Sequence, residues 1–220
     1  MTTRMEAVLF DLDGTILDTN ELIIRSMLHA LRGVVPPEFG REHIIPHMGK
    51  PLEDQLRLFS GRDDVEDLIK AYREYNLREH DALVKAFPHV AEVLERLKAE
   101  GLKLGVVTTK WRMTASLGMK LTGIDGYMDT VVALDDVEHP KPHPEPVLKA
   151  LGALGASPDR ALMVGDSPAD MMSAIAAGAV PVGVAWSLKG ERVLLEAGAR
   201  HIIRDMRDLC ELAGLERRTP

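Results

Sequence analysis

Ala7-Val8-Leu9-Phe10-Asp11-Leu12-Asp13-Gly14-Thr15 is the stretch that decides the fold. Four apolar residues in a row give way at once to acid, apolar, acid and glycine. Such a run reads as a strand buried on both faces, with its polar end left open for chemistry. In an extended chain residues i and i+2 share a face, so Asp11 and Asp13 converge while Leu12 returns to the core. Gly14 lets the chain turn sharply directly afterwards. Taken alone, the stretch also suits an ordinary acidic strand end followed by a turn.

Outward from this strand the same texture recurs. Residues 104–107 run apolar into Thr108, 131–134 into Asp135, and 161–164 into Gly165-Asp166, while 180–186 completes the set. Between the runs lie segments of helical period. In 90–97 the apolar residues Val90, Val93, Leu94 and Leu97 stand at i, i+3, i+4 and i+7, and Gly101 follows as a stop. Residues 144–154 and 169–177 also read as helices. Strand, helix, strand in repetition predicts an α/β fold with a Rossmann-like parallel sheet, whose site gathers outside the carboxyl ends of the strands. Residues 17–84 differ. Helical periodicity takes over at 21–32 and 63–83, and strand-like runs nearly vanish. The expected division is a core domain of 1–16 and 85–220, interrupted by a small helical domain over 17–84. The tail 216–220 is expected to fray.

The chain has 220 residues, of which 45% are hydrophobic and 28% charged, enough apolar content for a sizeable core. Its 27 lysines and arginines against 34 aspartates and glutamates leave a formal charge of −7, a poor match for a nucleic-acid backbone. Any anion handled here needs local lysines or a bound cation to override that field. The single cysteine, Cys210, excludes an intrachain disulfide and fits a reducing compartment. The apolar run at the start is too short for a signal-peptide core, and the longest uncharged stretch, 171–186, falls short of a bilayer span. The expectation is a cytoplasmic protein with no membrane partner and an open oligomeric state.

Four places carry chemistry. Asp11 and Asp13 are the first: with a divalent ion present, one carboxylate stays ionised as a nucleophile while the other exchanges a proton. The second is Thr108-Thr109-Lys110, where a hydroxyl, free amides and a lysine suit a phosphate oxygen, although a threonine at a strand end also suits a helix N-cap. The third is His139-Pro140-Lys141-Pro142-His143-Pro144, whose prolines stiffen a loop that presents Lys141. Its two histidines lack a third convergent ligand and read as solvent-facing. The fourth is Gly165-Asp166-Ser167-Pro168-Ala169-Asp170, where Asp166 and Asp170 stand one helical turn apart. Hard oxygens of this kind suit Mg²⁺.

In this order and spacing, Asp11-x-Asp13-Gly14-Thr15, Thr108, Lys141 and Gly165-Asp166-x-x-x-Asp170 resemble the four motifs of the haloacid dehalogenase superfamily, across essentially the whole chain. The helical insertion resembles the superfamily's first type of mobile cap. Asp18-Thr19-Asn20-Glu21-Leu22-Ile23, Asp135-Asp136-Val137-Glu138-His139 and Val184-Ala185-Trp186-Ser187-Leu188-Lys189-Gly190 are similar to its bacterial pyrophosphatase branch. Two positions depart from the pattern: His143, where aspartate is common, and Ser167-Pro168, where bulkier polar residues occur.

The resemblance implies that Asp11 forms an aspartyl-phosphate and that Asp13 protonates the leaving oxygen and later deprotonates water. It implies Mg²⁺ on Asp11, the backbone carbonyl of Asp13, and Asp166, with Asp170 direct or through water. Thr108 and Lys141 then hold the phosphoryl group, and Gly14, Thr109 and Lys110 face the substrate. Dehalogenases and phosphonate hydrolases lack the Asp13 counterpart, so those chemistries are disfavoured.

Substrate choice falls to the insertion. There His47-Met48-Gly49-Lys50-Pro51 forms a loop between helical stretches, and Lys50 with Lys110 is expected to meet the second phosphate of pyrophosphate. The alternative is a phosphomonoesterase for phosphoglycolate or a sugar phosphate, or a phosphomutase, on the same scaffold. A phospho-accepting signalling module also uses Asp, Thr and Lys at strand ends, but has no use for Asp13 or a helical insertion.

Overall fold

The computed structural model describes residues 4–215, so the expected fray at 216–220 lies outside the described residues. Its main sheet is six-stranded, in the order β5-β4-β1-β6-β7-β8, and every pairing in it is parallel. The strands are β1 (Ala7–Phe10), β4 (Lys103–Val107), β5 (Thr130–Val132), β6 (Ala161–Gly165), β7 (Val180–Val184) and β8 (His201–Ile203). The intervening helices are α5 (Val90–Ala99), α6 (Arg112–Leu121), α7 (Glu145–Leu154), α8 (Pro168–Ala177), α9 (Glu191–Glu196) and α10 (Asp208–Leu212). The expected α/β class and parallel sheet are what the structure has.

Both faces of the sheet are covered, and the two-residue period sorts the side chains between them. Val8, Phe10, Leu104, Val106, Leu162 and Val164 join the α5 residues Val93, Leu94 and Leu97 in one core. Ala7, Leu9, Val107, Ala161 and Met163 join Val147, Leu151 and Ala174 of α7 and α8 in the other. β1 lies between β4 and β6, with Phe10 level with Val106 on one side and Val164 on the other. The chain builds outward from β1 in both directions, so its end is the topological switch point where open α/β sheets form their crevice. Asp11, Thr108 and Asp166 all leave the sheet at that place.

Between β2 (Leu17–Asp18) and β3 (Lys85–Ala86) the chain is helical: α1 (Asn20–Ala30), α2 (Arg41–Ile44), α3 (Leu52–Ser60) and α4 (Glu66–Leu83). These helices bury an apolar core of their own from Ile24, Met27, Leu31, Ile44, Leu56 and Leu68. β2 and β3 pair antiparallel, with Leu17 opposite Ala86 and Asp18 opposite Lys85, so the chain enters and leaves this unit side by side. Two-residue strands carry no readable period, which is why the sequence does not reveal them.

Two expected strands end early. Over 131–134 the strand stops at Val132, because the Asp136 carboxylate accepts the Ala133 amide at 2.7 Å and curls 134–136 into a 3₁₀ turn. Over 180–186 it stops at Val184, where the Ser187 amide folds back to the Val184 carbonyl. Helix α6 buries Ala115, Gly118 and Met119 while Met113, Leu117 and Leu121 stay exposed. No helix among the described residues is long and apolar enough to cross a membrane.

Candidate active site

Asp11 leaves β1 with its amide on the Val164 carbonyl at 2.8 Å, and the residue is 4% exposed. Leu12, fully buried, turns back into the core as the alternation requires. Gly14 has φ +78, and a Cβ there would lie 2.8 Å from Asp166 Oδ2. Only glycine serves both the turn and that approach. The Gly14 amide donates to the Leu17 carbonyl at 2.8 Å and is thereby engaged within the turn.

Lys141 is buried among the acids. Its Nζ donates to Asp11 Oδ1 at 2.8 Å, to Asp170 Oδ1 at 2.6 Å and to the Val107 carbonyl at 2.8 Å. All three ammonium protons are thus placed. The flanking His139 and His143 are exposed, as expected of solvent-facing residues, with their rings tilted against each other at 4.8 Å between centroids. Asp170, in the first turn of α8, accepts the Ser167 amide at 3.0 Å and hydroxyl at 2.6 Å on its second oxygen. Ser167, not Asp166, takes the cap position of that helix, so Asp166 is free to face the site. Likewise α6 starts after Trp111, so Thr108 is not its cap.

Ligand atoms of Asp11, Asp166 and Asp170 lie within 4.8 Å of one another, all three residues buried. Asp11 Oδ2 and Asp166 Oδ1 accept no hydrogen bond among the described residues, whereas both oxygens of Asp170 are engaged. Burial pushes the Asp11 carboxyl up to about 8; Lys141 opposes the rise, while Asp170 and Asp166 add to it. Burial also raises Asp166, with Lys189 opposing and Asp170 adding. Close, buried carboxylates that resist ionising together, with hard oxygens turned inward, suit a divalent cation.

The carboxylate of Asp13 stands outside this group and takes Lys110 Nζ at 2.8 Å. Thr108 accepts the Lys110 amide at 3.1 Å, and the Thr109 hydroxyl donates to the Gly49 carbonyl at 3.0 Å. Lys50 is exposed, with its Nζ 3.2 Å from His47 Nδ1. Asp11, Asp13, Thr108, Thr109, Lys110, Lys50 and Asp166 all line one cavity of about 270 Å³. Another part of its wall, unforeseen from the sequence, comes from Tyr72, Asn76 and Leu77 of α4 with Trp111, just ahead of α6, and Met113 within it. Gln55 also lines it and holds the Lys50 carbonyl at 2.8 Å. Lys189 lies on Asp166 at 3.2 Å; the sequence singles out its segment, 184–190, but no spacing there assigns the lysine a partner.

A buried nucleophile-grade carboxylate, a second acid beside it, a lysine and a cation-ready acid group at the carboxyl ends of a parallel sheet define a phosphoryl-transfer type of site. The chain belongs to the haloacid dehalogenase-like hydrolase family, whose model matches residues 8–184. It is 46% identical over 215 residues to the pyrophosphatase PpaX of Bacillus velezensis, covering 97% of this chain and 98% of that protein. The pyrophosphatase PpaX of Bacillus cereus is 48% identical over 196 residues, covering 88% and 89%. A crystal structure of a hydrolase from Pseudomonas syringae superposes with a TM-score of 0.85 at 28% identity, covering 96% of this chain and 98% of that one.

Proposed function

We infer that this chain hydrolyses inorganic pyrophosphate to phosphate through an aspartyl-phosphate on Asp11, with Mg²⁺ as its cation. The observation that carries the reading is Asp11 itself. It is held on one oxygen by Lys141, has a carboxylate oxygen within 4.8 Å of one from Asp166, and lines a cavity that Lys110 and Lys50 also line. The similarity to pyrophosphatases over nearly the full length supports the choice of substrate. A small solute substrate fits a cytoplasmic setting.

Asp11 attacks phosphorus, and the bond from phosphorus to the bridging oxygen breaks. Asp13 gives its proton to the departing phosphate, then takes one from the water that attacks the phosphorus and frees Asp11. Thr108 holds the transferred phosphoryl group, Lys141 turns one of its three ammonium protons from its present acceptors towards it, and Lys110 steadies Asp13. Asp11, Asp166 and the Asp13 carbonyl would hold the ion, with Asp170 reaching it through water because both its oxygens are taken. When bound, Mg²⁺ keeps Asp11 ionised and offsets charge on the phosphoryl oxygens. Residues 17–84 act as a cap in this reading. Their separate core, the side-by-side β2 and β3, and the Thr109–Gly49 contact support it.

A panel of phosphorylated compounds scored by phosphate release with Mg²⁺ tests the assignment, with pyrophosphate expected to lead. One feature favours an organic phosphate monoester as second reading: the apolar wall of Leu77, Trp111 and Met113 suits an organic leaving group. A sugar phosphate or phosphoglycolate turning over faster than pyrophosphate would establish it. Lys50→Ala is expected to raise KM for pyrophosphate roughly fivefold, with kcat changed less than about twofold, as for loss of one exposed charge contact. An unchanged KM removes Lys50 from the site.

Protein kept free of cation has a pH dependence of definite sign. Folded Asp11 holds its proton up to about 8, against an ordinary value of 3.8. Between those values the folded state binds more protons, so this stabilisation is complete below the lower value and is lost as pH rises through the upper. In chelator, the Tm of the parent is expected to fall more between about pH 6 and pH 9 than that of Asp11→Asn. Mg²⁺ is expected to raise the parent's Tm more at the alkaline end, where binding displaces no proton. Parallel profiles for the two proteins would refute the assigned burial effect.

A further inference from the structure

The loop after β7 is tied to Asp166 at two points. Ser187 Oγ donates to the Asp166 carbonyl at 2.6 Å and accepts the Lys189 amide at 3.1 Å. Lys189 Nζ then reaches Asp166 Oδ2 at 3.2 Å, its side chain only 4% exposed. Neither job already assigned to a lysine needs it: Lys141 covers Asp11, and Lys110 covers Asp13. Nor does Lys189 line the cavity, although Asp166 does. Its effect on the reaction must therefore pass through Asp166.

In formal charge, the buried acids Asp11, Asp166 and Asp170 face the ammonium groups of Lys141 and Lys189, for a net −1. A divalent cation takes that to +1, which attracts an anionic substrate; without Lys189 the same ion would leave the site neutral. The ammonium also competes for the very carboxylate that is to hold the cation. We propose that Lys189 is a positioning residue that keeps cation affinity low and the loaded site positive, by sharing Asp166 with the ion. This rests on the reading of Asp11 and Asp166 as the cation site.

Calorimetric titration of Mg²⁺ without substrate tests it. Lys189→Met is expected to bind Mg²⁺ roughly tenfold more tightly while its KM for pyrophosphate rises. Lys189→Gln, which keeps a polar group against Asp166, is expected to shift the same way and serves if the methionine variant does not fold. Lys189→Arg is expected to stay within about twofold of the parent in Mg²⁺ affinity, because the charge is retained. Unchanged or weaker Mg²⁺ binding in the uncharged variants overturns the proposal, as does an arginine variant that behaves like them. Asp166→Asn separates the two levels: undiminished Mg²⁺ binding there overturns the underlying cation site itself.

Discussion

Asp11→Asn is expected to lower kcat for pyrophosphate by about 10⁴-fold or more, the scale on which an enzyme loses a nucleophile that acts as one unit with its partners. The substitution changes almost no volume. Lys141 keeps Asp170 and the Val107 carbonyl as partners, so the buried ammonium is not stranded. The variant is therefore expected to fold and, in chelator at alkaline pH, to match or exceed the parent in Tm. Loss of activity with folding preserved locates the defect in the chemistry. Mass spectrometry after brief incubation with substrate is expected to show phosphate on the parent and none on the variant. Parental turnover in protein verified free of deamidation overturns the covalent route.

Lys141→Met is expected to be damaging in two independent ways. The ammonium is the shared donor to Asp11 and Asp170, and its side chain is 2% exposed. Removing one partner of a buried pair leaves uncompensated charge and is expected to cost about 3 kcal/mol or more of stability in chelator at alkaline pH, where Asp11 is ionised. Asp11, which holds its proton up to about 8 even beside Lys141, would hold it to still higher pH without that ammonium. The stability gap to the parent should therefore narrow as pH falls and widen as it rises. Activity is expected to fall about 10²–10³-fold in kcat, as when one preorganised donor to a developing anion is lost. Chemical denaturation at three pH values, with steady-state kinetics beside it, checks both. A gap that does not change with pH would mean that Lys141 contributes packing rather than charge.

Most of the candidate site is legible in the chain. Asp11, Asp13, Thr108, Asp166 and Asp170 stand just past strand ends or in the first turn of a helix, which short-range periodicity locates, and Lys141 is marked by the prolines on either side of it. The all-parallel sheet is equally legible, because strands buried on two faces read as unbroken apolar runs such as Ala7–Phe10. Less legible is what each residue touches. Thr109 and Gly14 have the right types to meet a phosphate, yet the Thr109 hydroxyl goes to Gly49 and the Gly14 amide to Leu17. Those partners lie across a loop or within a turn, and no local spacing encodes the first. The Trp111 and Met113 part of the cavity wall is hidden for a related reason: it meets α4 residues far away in the chain, a juxtaposition that no local pattern encodes.

The class of fold, the order of its elements and the types of group at the site follow from patterns a few residues long, and so they are written locally in the chain. Which charges meet is not; packing across the whole core sets it. Lys141 reaches Asp11 across 130 positions, Lys110 reaches Asp13 across 97, and Lys189 reaches Asp166 across 23. Such pairings depend on β1 lying between β4 and β6, a matter of strand order and burial summed over the whole core.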